Sequence, residues 1–449
     1  KFLPRIALRA FNNLKIYLKF KLNMHRTRRL LTPASTVGVV FDIDGVLLRG
    51  GVAIDGARAA LSMLRAASVP FVVMTNGGGM PERVRAEQVS AALGEAVPAS
   101  NCARDRALRT SEIDAVRSLV MREGGVVLSH TPVRALATES DPALLPASIL
   151  VDAADAAAAA GGDSAATPAL RLPLGQQRLL LMGHGRYREV AREYGFQNVV
   201  TASDLLRRDH TRYPFPHSYL PDAEEFASRE DDETGAAAAT EEEPIAAIAI
   251  LHDPINWAPE LQIALDVLGG GAAPGASLPA QLVPLIATNA DFVFSGRYGT
   301  PRLAAGAFTH TLAALWRRRH PDAAPLRVHQ FGKPEKVQYA FARRLLEESH
   351  RAGLQGGGES ESGAATAPTP ALEQIFMVGD NPEADIEGAN RAGEPWHSVL
   401  VETGVFSPLP GLTNDVKHPA KTVVSSVLEA VDFVLACKDE RSKTTTSPA

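Results

Sequence analysis

The chain has 449 residues, too many for one compact core, so two or three folded units are expected. With 45% hydrophobic and 22% charged residues its composition is that of an ordinary globular protein, and a formal net charge of −5 gives no reason to expect nucleic-acid binding. Cys102 and Cys437 form no metal-ligand pattern and read as free thiols in a reducing compartment, and no apolar run reaches the length of a membrane span.

Residues 1–35 differ from the rest. Lys1, Arg5, Arg9, Lys15, Lys19, Lys21, Arg26, Arg28 and Arg29 are basic, and no acid precedes Asp42. Phe11, Leu14 and Leu18 fall at helical spacing among those cations. A basic, acid-free, amphipathic N-terminus resembles a mitochondrial transit peptide, with a cytoplasmic protein as the alternative. Because the sequence begins at Lys1 and not at methionine, the natural start is expected upstream.

Residues 37–41, Val-Gly-Val-Val-Phe, are a short apolar run of the kind that forms a buried parallel strand. Asp42-Ile-Asp44-Gly45 follows at once. If the strand continued, Asp42 and Asp44 would point the same way at its C-terminal end, where open α/β sheets hold their ligands. Paired carboxylates there repel each other unless a cation or a shared proton compensates, and Mg²⁺ suits oxygen ligands and keeps positions open for phosphate oxygens.

A helix is expected over 57–67, a strand over 70–74, and then Thr75-Asn76-Gly77-Gly78-Gly79 at the strand tip. A hydroxyl, an amide and glycine N–H groups there can reach a phosphate held beside Asp42. The next helix is read over 82–93 and a third strand over 125–129, ending in His130; the polar, Arg-rich stretch between is read as an insertion. His130 reads as a hydrogen-bonded boundary residue, with substrate contact as the alternative.

Low-complexity filler occupies 152–169 and 353–370, and an acidic run with the composition of a disordered segment spans 222–243. Between them strands are expected over 178–182, 195–201, 245–251 and 282–288, with helices over 187–194 and 254–268, which marks a second α/β unit. Gly332-Lys333-Pro334 sets a cation just before a helix start, where it can neutralise a carboxylate and a phosphate together. A strand over 375–378 leads into Gly379-Asp380-Asn-Pro-Glu-Ala-Asp385-Ile, and residues 399–405 are expected to close the sheet.

The ordered set Asp42/Asp44, Thr75, Lys333 and Asp380/Asp385 resembles the motifs of the haloacid dehalogenase (HAD) superfamily. The long insertion between Thr75 and Lys333 is similar in position to the cap of its subfamily IIA. Leu128-Ser-His-Thr-Pro132, Gly195-Phe-Gln-Asn-Val-Val-Thr201 and Val378-Gly-Asp-Asn-Pro382 resemble the cat eye syndrome critical region, or HAD-like hydrolase domain-containing 5, group. The second motif departs from that group, with Thr-Asn-Gly-Gly-Gly where related sequences tend to have Thr-Asn-Ala-Gly or Thr-Asn-Asn, and the loop beyond Thr75 is expected to be looser.

The resemblance implies a Rossmann-like parallel-sheet α/β core with an inserted α/β cap of the C2 type. The units are then the basic segment 1–35, core 36–132, cap 133–325, core 326–437 and a disordered tail 438–449. It implies a Mg²⁺-dependent phosphatase in which Asp42 attacks phosphorus, Asp44 exchanges protons, and Thr75 and Lys333 hold phosphoryl oxygens. Asp42, Asp380, Asp385 and Asp44, the last through its backbone carbonyl, would hold the metal. Asn76, Gly77, His184, Gly185, Asn289 and Asp291 are the candidates for substrate contact. The substrate is expected to be a small phosphate ester, such as a sugar phosphate, a nucleotide or, less directly, a phosphate of glycerophospholipid synthesis. Caps of this kind often mediate homodimers, which leaves the oligomeric state open, and no integral membrane segment is expected. A mitochondrial scaffold that keeps the fold with little catalysis, and a phosphotransferase, are the alternatives.

Overall fold

The computed structural model describes residues 37–94, 125–138, 145–146, 148–149, 170, 172–215, 243–270, 281–294, 296, 298–354, 372–408 and 412–445. The basic segment, the Arg-rich insertion, most of the low-complexity filler and of the acidic run, and Cys102 lie outside these residues.

β1 (Val37–Phe41) is followed by a small hairpin, β2 (Leu48–Arg49) and β3 (Val52–Ala53), and then by α1 (Ala57–Ala66), β4 (Phe71–Met74), α2 (Glu82–Ala92) and β5 (Val126–Val127). The inserted unit holds β6 (Leu179–Met182), α3 (Tyr187–Glu193), β7 (Val199–Thr201), α4 (Ala202–Arg208), β8 (Ala247–Ile250), α5 (Trp257–Leu268) and β9 (Leu285–Ala287). A hairpin of β10 (Val293–Phe294) and β11 (Arg302–Leu303) precedes α6 (Ala305–Arg319) and β12 (Val328–Gln330). The chain then returns to the core with α7 (Lys336–Leu354), β13 (Gln374–Gly379), α8 (Glu387–Ala392), β14 (Trp396–Val401), β15 (Thr422–Val424) and α9 (Val427–Thr445).

Two parallel sheets result. The core sheet is six-stranded, in the order β15-β14-β13-β1-β4-β5, and the cap sheet is five-stranded, in the order β12-β9-β8-β6-β7. β1 sits between β13 and β4, with Phe41 opposite Val378 on one side and Val73 on the other. A strand covered on both faces should be apolar at every position, and all five residues of β1 are buried. Val37, Val39 and Phe41 pack with Leu61 and Leu64 of α1 and with Val427, Val431 and Val434 of α9. Val40 points the other way, toward Tyr339, Ala342 and Leu346 of α7. Each such side chain contributes about 1.5–3 kcal/mol when fully buried. α1 buries Ala57, Ala60, Leu61 and Leu64, the i, i+3, i+4, i+7 stripe of a helix lying on a sheet.

The cap repeats this logic. Leu179 and Leu181 of β6 face Tyr187 and Val190 of α3, while Leu180 and Met182 face the side of Phe308, Leu312 and Trp316. Among the described residues no helix is long and apolar enough to cross a membrane.

Three sequence expectations change. β12 pairs with β9, so the cap continues through Gln330 and the boundary drawn at 326 falls inside it. The core sheet ends on β15 and not at 399–405, because Val399, Leu400 and Val401 of β14 pair with Thr422, Val423 and Val424. The tail expected to be unstructured from 438 is helical as far as Thr445, where α9 continues past the apolar stripe that docks it on the core.

Candidate active site

The site lies beyond the C-terminal ends of β1, β4 and β13. β1 stops at Phe41, so Asp42 and Asp44 do not share a strand face as expected from their spacing. Asp42 is buried, 6% exposed, whereas the side chain of Asp44 is 41% exposed in the turn that follows. Gly45 makes that turn with φ +95°, and a Cβ there would overlap the Asp380 carboxylate. This is a close approach that only glycine permits.

Lys333 closes the site from the far end of the chain. Its Nζ donates to Asp42 Oδ1 at 2.6 Å, to Asp385 Oδ1 at 2.6 Å and to the Met74 carbonyl at 3.3 Å. Burial opposes the ammonium charge, but Asp385 and Asp42 outweigh it and raise the Lys333 pKa well above the usual lysine range. Asp385 is fully buried in a π turn over Pro382–Ile386, with its Oδ2 accepting from the Asn381 N–H at 3.0 Å. Asp380 Oδ2 accepts from the Val405 N–H at 2.6 Å.

Asp42, Asp380 and Asp385 each offer an oxygen, and the three lie within 4.8 Å of one another. Burial pushes the Asp42 carboxyl well up, with Lys333 opposing and the other two acids adding to the shift. Burial, and then Asp385, push Asp380 up to about 7. Three buried carboxylates with a single ammonium among them form an anionic, all-oxygen donor set that fits a hard divalent cation such as Mg²⁺. The carboxylate of Asp44 stands outside this cluster; its Oδ2 accepts from Arg85 Nη2 at 2.8 Å.

The loop after β4 serves partly to hold Lys333. Asn76 Oδ1 accepts from the Lys333 N–H at 2.8 Å, and Asn76 Nδ2 donates to the Lys333 carbonyl at 3.0 Å. Asn76, expected at the substrate, is thus a clamp on the lysine backbone. Thr75 is buried at the strand tip, and its Oγ1 accepts from the Gly77 N–H at 3.0 Å, so that donor is engaged within the loop. The expected looseness of the glycines is replaced by close packing. A Cβ on Gly78 would meet His130, Ser129 and the Leu251 carbonyl, and one on Gly79, at φ +75°, would overlap the ring of His252.

The cap supplies the other wall. Asp291 is hydrogen-bonded to Asn76 and lies in the field of Lys333; burial pushes its pKa up to about 6 against both. Asn289 shapes that turn, its Oδ1 accepting from the Asp291 N–H at 2.8 Å. His184 donates from Nδ1 to the Asp253 carbonyl at 2.6 Å and stacks on His252 with ring centroids 4.3 Å apart. Neighbouring Gly185 has φ +76°. Arg85, His252 and Asp253 were not singled out from sequence. Arg85 stands in helix α2 with no motif around it, and the Asp253-Pro254 step after a strand was the one local signal for the pair beside it.

His130 is fully buried at the crossing into the cap. Its Nδ1 meets the Tyr194 hydroxyl at 2.8 Å, and that hydroxyl donates to Glu82 Oε1 at 2.6 Å. Thr131 Oγ1 and Arg134 Nη2 donate to the same Glu82 oxygen, at 2.8 and 2.6 Å. Burial works against the Glu82 charge, but Arg134 and Tyr194 outweigh it and hold its pKa below the usual range. Burial pushes His130 down to about 4, so it is a neutral structural partner at pH 7.

Two family models match in the order the two halves of the core require. One, described as haloacid dehalogenase-like hydrolase, matches residues 39–197, and one described as HAD-hydrolase-like matches 330–430. The chain belongs to the haloacid dehalogenase-like hydrolases. It is therefore an enzyme of a hydrolase superfamily. It is 27% identical over 416 residues, 90% of this chain and 97% of the other, to a protein of Saccharomyces cerevisiae named as a mitochondrial hydrolase. It is 29% identical over 416 residues to a Schizosaccharomyces pombe protein named as a cardiolipin synthase (CMP-forming)/mitochondrial hydrolase fusion, covering 90% of this chain. The chain spans 54% of the length of that fusion. Among solved structures, a hypothetical protein of Pyrococcus horikoshii OT3 superposes with a TM-score of 0.50 at 18% identity, over 89% of this chain and 99% of its own, which is a likeness of fold.

Proposed function

We propose that this HAD-like hydrolase is a phosphatase acting on a small phosphate ester through an aspartyl-phosphate on Asp42. The observation that carries the reading is the buried bridge from Lys333 to both Asp42 and Asp385, with Asp380 beside them. A carboxylate nucleophile approaching a phosphoryl dianion must be screened, and Lys333, bonded to Asp42, would screen both. Asp42, Asp380 and Asp385 would hold Mg²⁺, which when bound supplies further charge neutralisation on the phosphoryl oxygens.

In the first step an Asp42 oxygen bonds to phosphorus as the bond from phosphorus to the ester oxygen breaks, and Asp44 gives its proton to the departing oxygen. In the second a water oxygen attacks the same phosphorus while Asp44 takes its proton. The Asp42–phosphorus bond breaks, releasing inorganic phosphate and restoring both carboxyls. Thr75 is read as a holder of a phosphoryl oxygen. Asp291, His184 and His252 form the wall met by the rest of the ester. The names of the two fungal relatives, with the basic segment 1–35, favour a mitochondrial location.

The test is inorganic phosphate release from a panel of monoesters, with Mg²⁺ or with EDTA, by wild type and Asp42→Asn. Turnover that needs Mg²⁺ and disappears in the variant is expected. Folded protein that releases no phosphate from any ester would contradict the reading and favour a binding role.

A further inference from the structure

Asp44 is contacted by a residue that lies outside every motif. Asp44 sits in a turn, with a side chain 41% exposed, where a short carboxylate would sample several rotamers. Arg85, in the first turns of α2, donates Nη2 to Asp44 Oδ2 at 2.8 Å. Its own side chain is only 18% exposed. The rest of the guanidinium is weakly engaged. Nη1 meets Gln88 Oε1 at 3.4 Å, and among the described residues Nε has no hydrogen-bond partner. The cap residue His252 lies within the electrostatic reach of the same guanidinium, which sets Arg85 at the seam between core and cap.

We propose that Arg85 is a positioning residue for proton transfer, holding one oxygen of Asp44 so that the other faces the departing ester oxygen. The inference rests on the phosphatase reading and deepens it. Arg85 makes this contact through one nitrogen, from a permanently charged side chain that is itself mostly buried, so it can hold one oxygen of a carboxylate that is otherwise exposed. Arg85 makes no bond to phosphorus or to the leaving group; it acts through Asp44. Its loss should therefore matter in proportion to how much the leaving oxygen needs a proton. Departing p-nitrophenolate is stable as an anion and needs little help, whereas a departing alkoxide needs its proton in the transition state.

The experiment compares kcat/KM on p-nitrophenyl phosphate and on glycerol 2-phosphate for wild type, Arg85→Met, Arg85→Lys and, as calibration, Asp44→Asn. General acid help is worth on the order of 10²–10⁴-fold, and misplacing the acid should forfeit part of it. Arg85→Met is expected to lose ~10–100-fold on glycerol 2-phosphate but less than about 3-fold on p-nitrophenyl phosphate, following the asymmetry of Asp44→Asn. Arg85→Lys should fall between. An equal loss on both esters, or no loss on either, would overturn the inference, since a merely structural arginine does not distinguish leaving groups. Wild type that hydrolyses neither ester would overturn the phosphatase reading, and the inference with it. An Asp44→Asn asymmetry that Arg85→Met lacks would overturn the inference alone.

Discussion

Asn76 commits both ends of its amide to the backbone of Lys333, a residue 257 positions away. Each bond is buried, so truncating the side chain strands a donor and an acceptor at once. Asn76→Ala should cost about 1–3 kcal/mol in urea unfolding and, by loosening Lys333, lower kcat more than it raises KM. A variant with wild-type kcat would show that the clamp is unnecessary to the lysine. The acids make a second case. Crowded, buried and short of cations, Asp42, Asp380 and Asp385 should gain stability from Mg²⁺, by about 2.7 kcal/mol at a hundredfold excess over Kd. Thermal unfolding with and without Mg²⁺ checks this, and Asp380→Asn should lose most of the gain. Equal shifts in both proteins would put the cation elsewhere.

Helix α2 of the core and helix α3 of the cap meet through a polar latch, and its bonds are spread over three elements. Glu82 comes from the first, Tyr194 ends the second, and His130, Thr131 and Arg134 lie on the short crossing between. Tyr194→Phe should cost about 1–3 kcal/mol by leaving Glu82 and His130 short of a partner. The latch also makes stability depend on pH. His130 has its folded pKa lowered to about 4 from an ordinary 6.5, so between those values the unfolded chain binds a proton that the folded chain does not. Stability should fall as pH drops from about 6.5 to about 4, by up to roughly 3 kcal/mol, and His130→Asn should flatten that slope. Glu82 adds in the same direction. Its depressed pKa contributes stability above the usual carboxylate value, which is lost as pH falls through the folded one. Equal slopes in wild type and His130→Asn would remove the histidine from the account. At the loop beyond β4, Gly79→Ala should destabilise and slow the enzyme, because it forces a Cβ against His252 at a positive φ. Unchanged unfolding would mean that the cap yields there.

At the scale of the whole molecule, the core was largely legible because each piece carries its own local signature. Apolar runs of strand length end in acids, a lysine and a proline stand in the turn just before a helix, and Asp380 and Asp385 sit in one turn. Folding then brings Asp42 and Lys333 together across 291 residues, a contact that no local pattern encodes but that ordered motifs imply. Arg85 and Glu82 were illegible for the opposite reason. Their partners, Asp44 and Tyr194, lie 41 and 112 residues away, and a charged residue in an amphipathic helix looks the same whether it faces water or a buried hydroxyl. The cap boundary at 326 was misplaced because three residues, Val328–Gln330, are too short a run to show which sheet they join. Whether the assembled site does its chemistry through Asp42 is best settled by trapping the intermediate. Wild type turning over a phosphoryl-labelled ester should be quenched in acid during the steady state, digested, and the peptides analysed by mass. The account predicts the label on the peptide containing Asp42, and no label in Asp42→Asn. Label on another residue, or turnover that persists in Asp42→Asn, would contradict it.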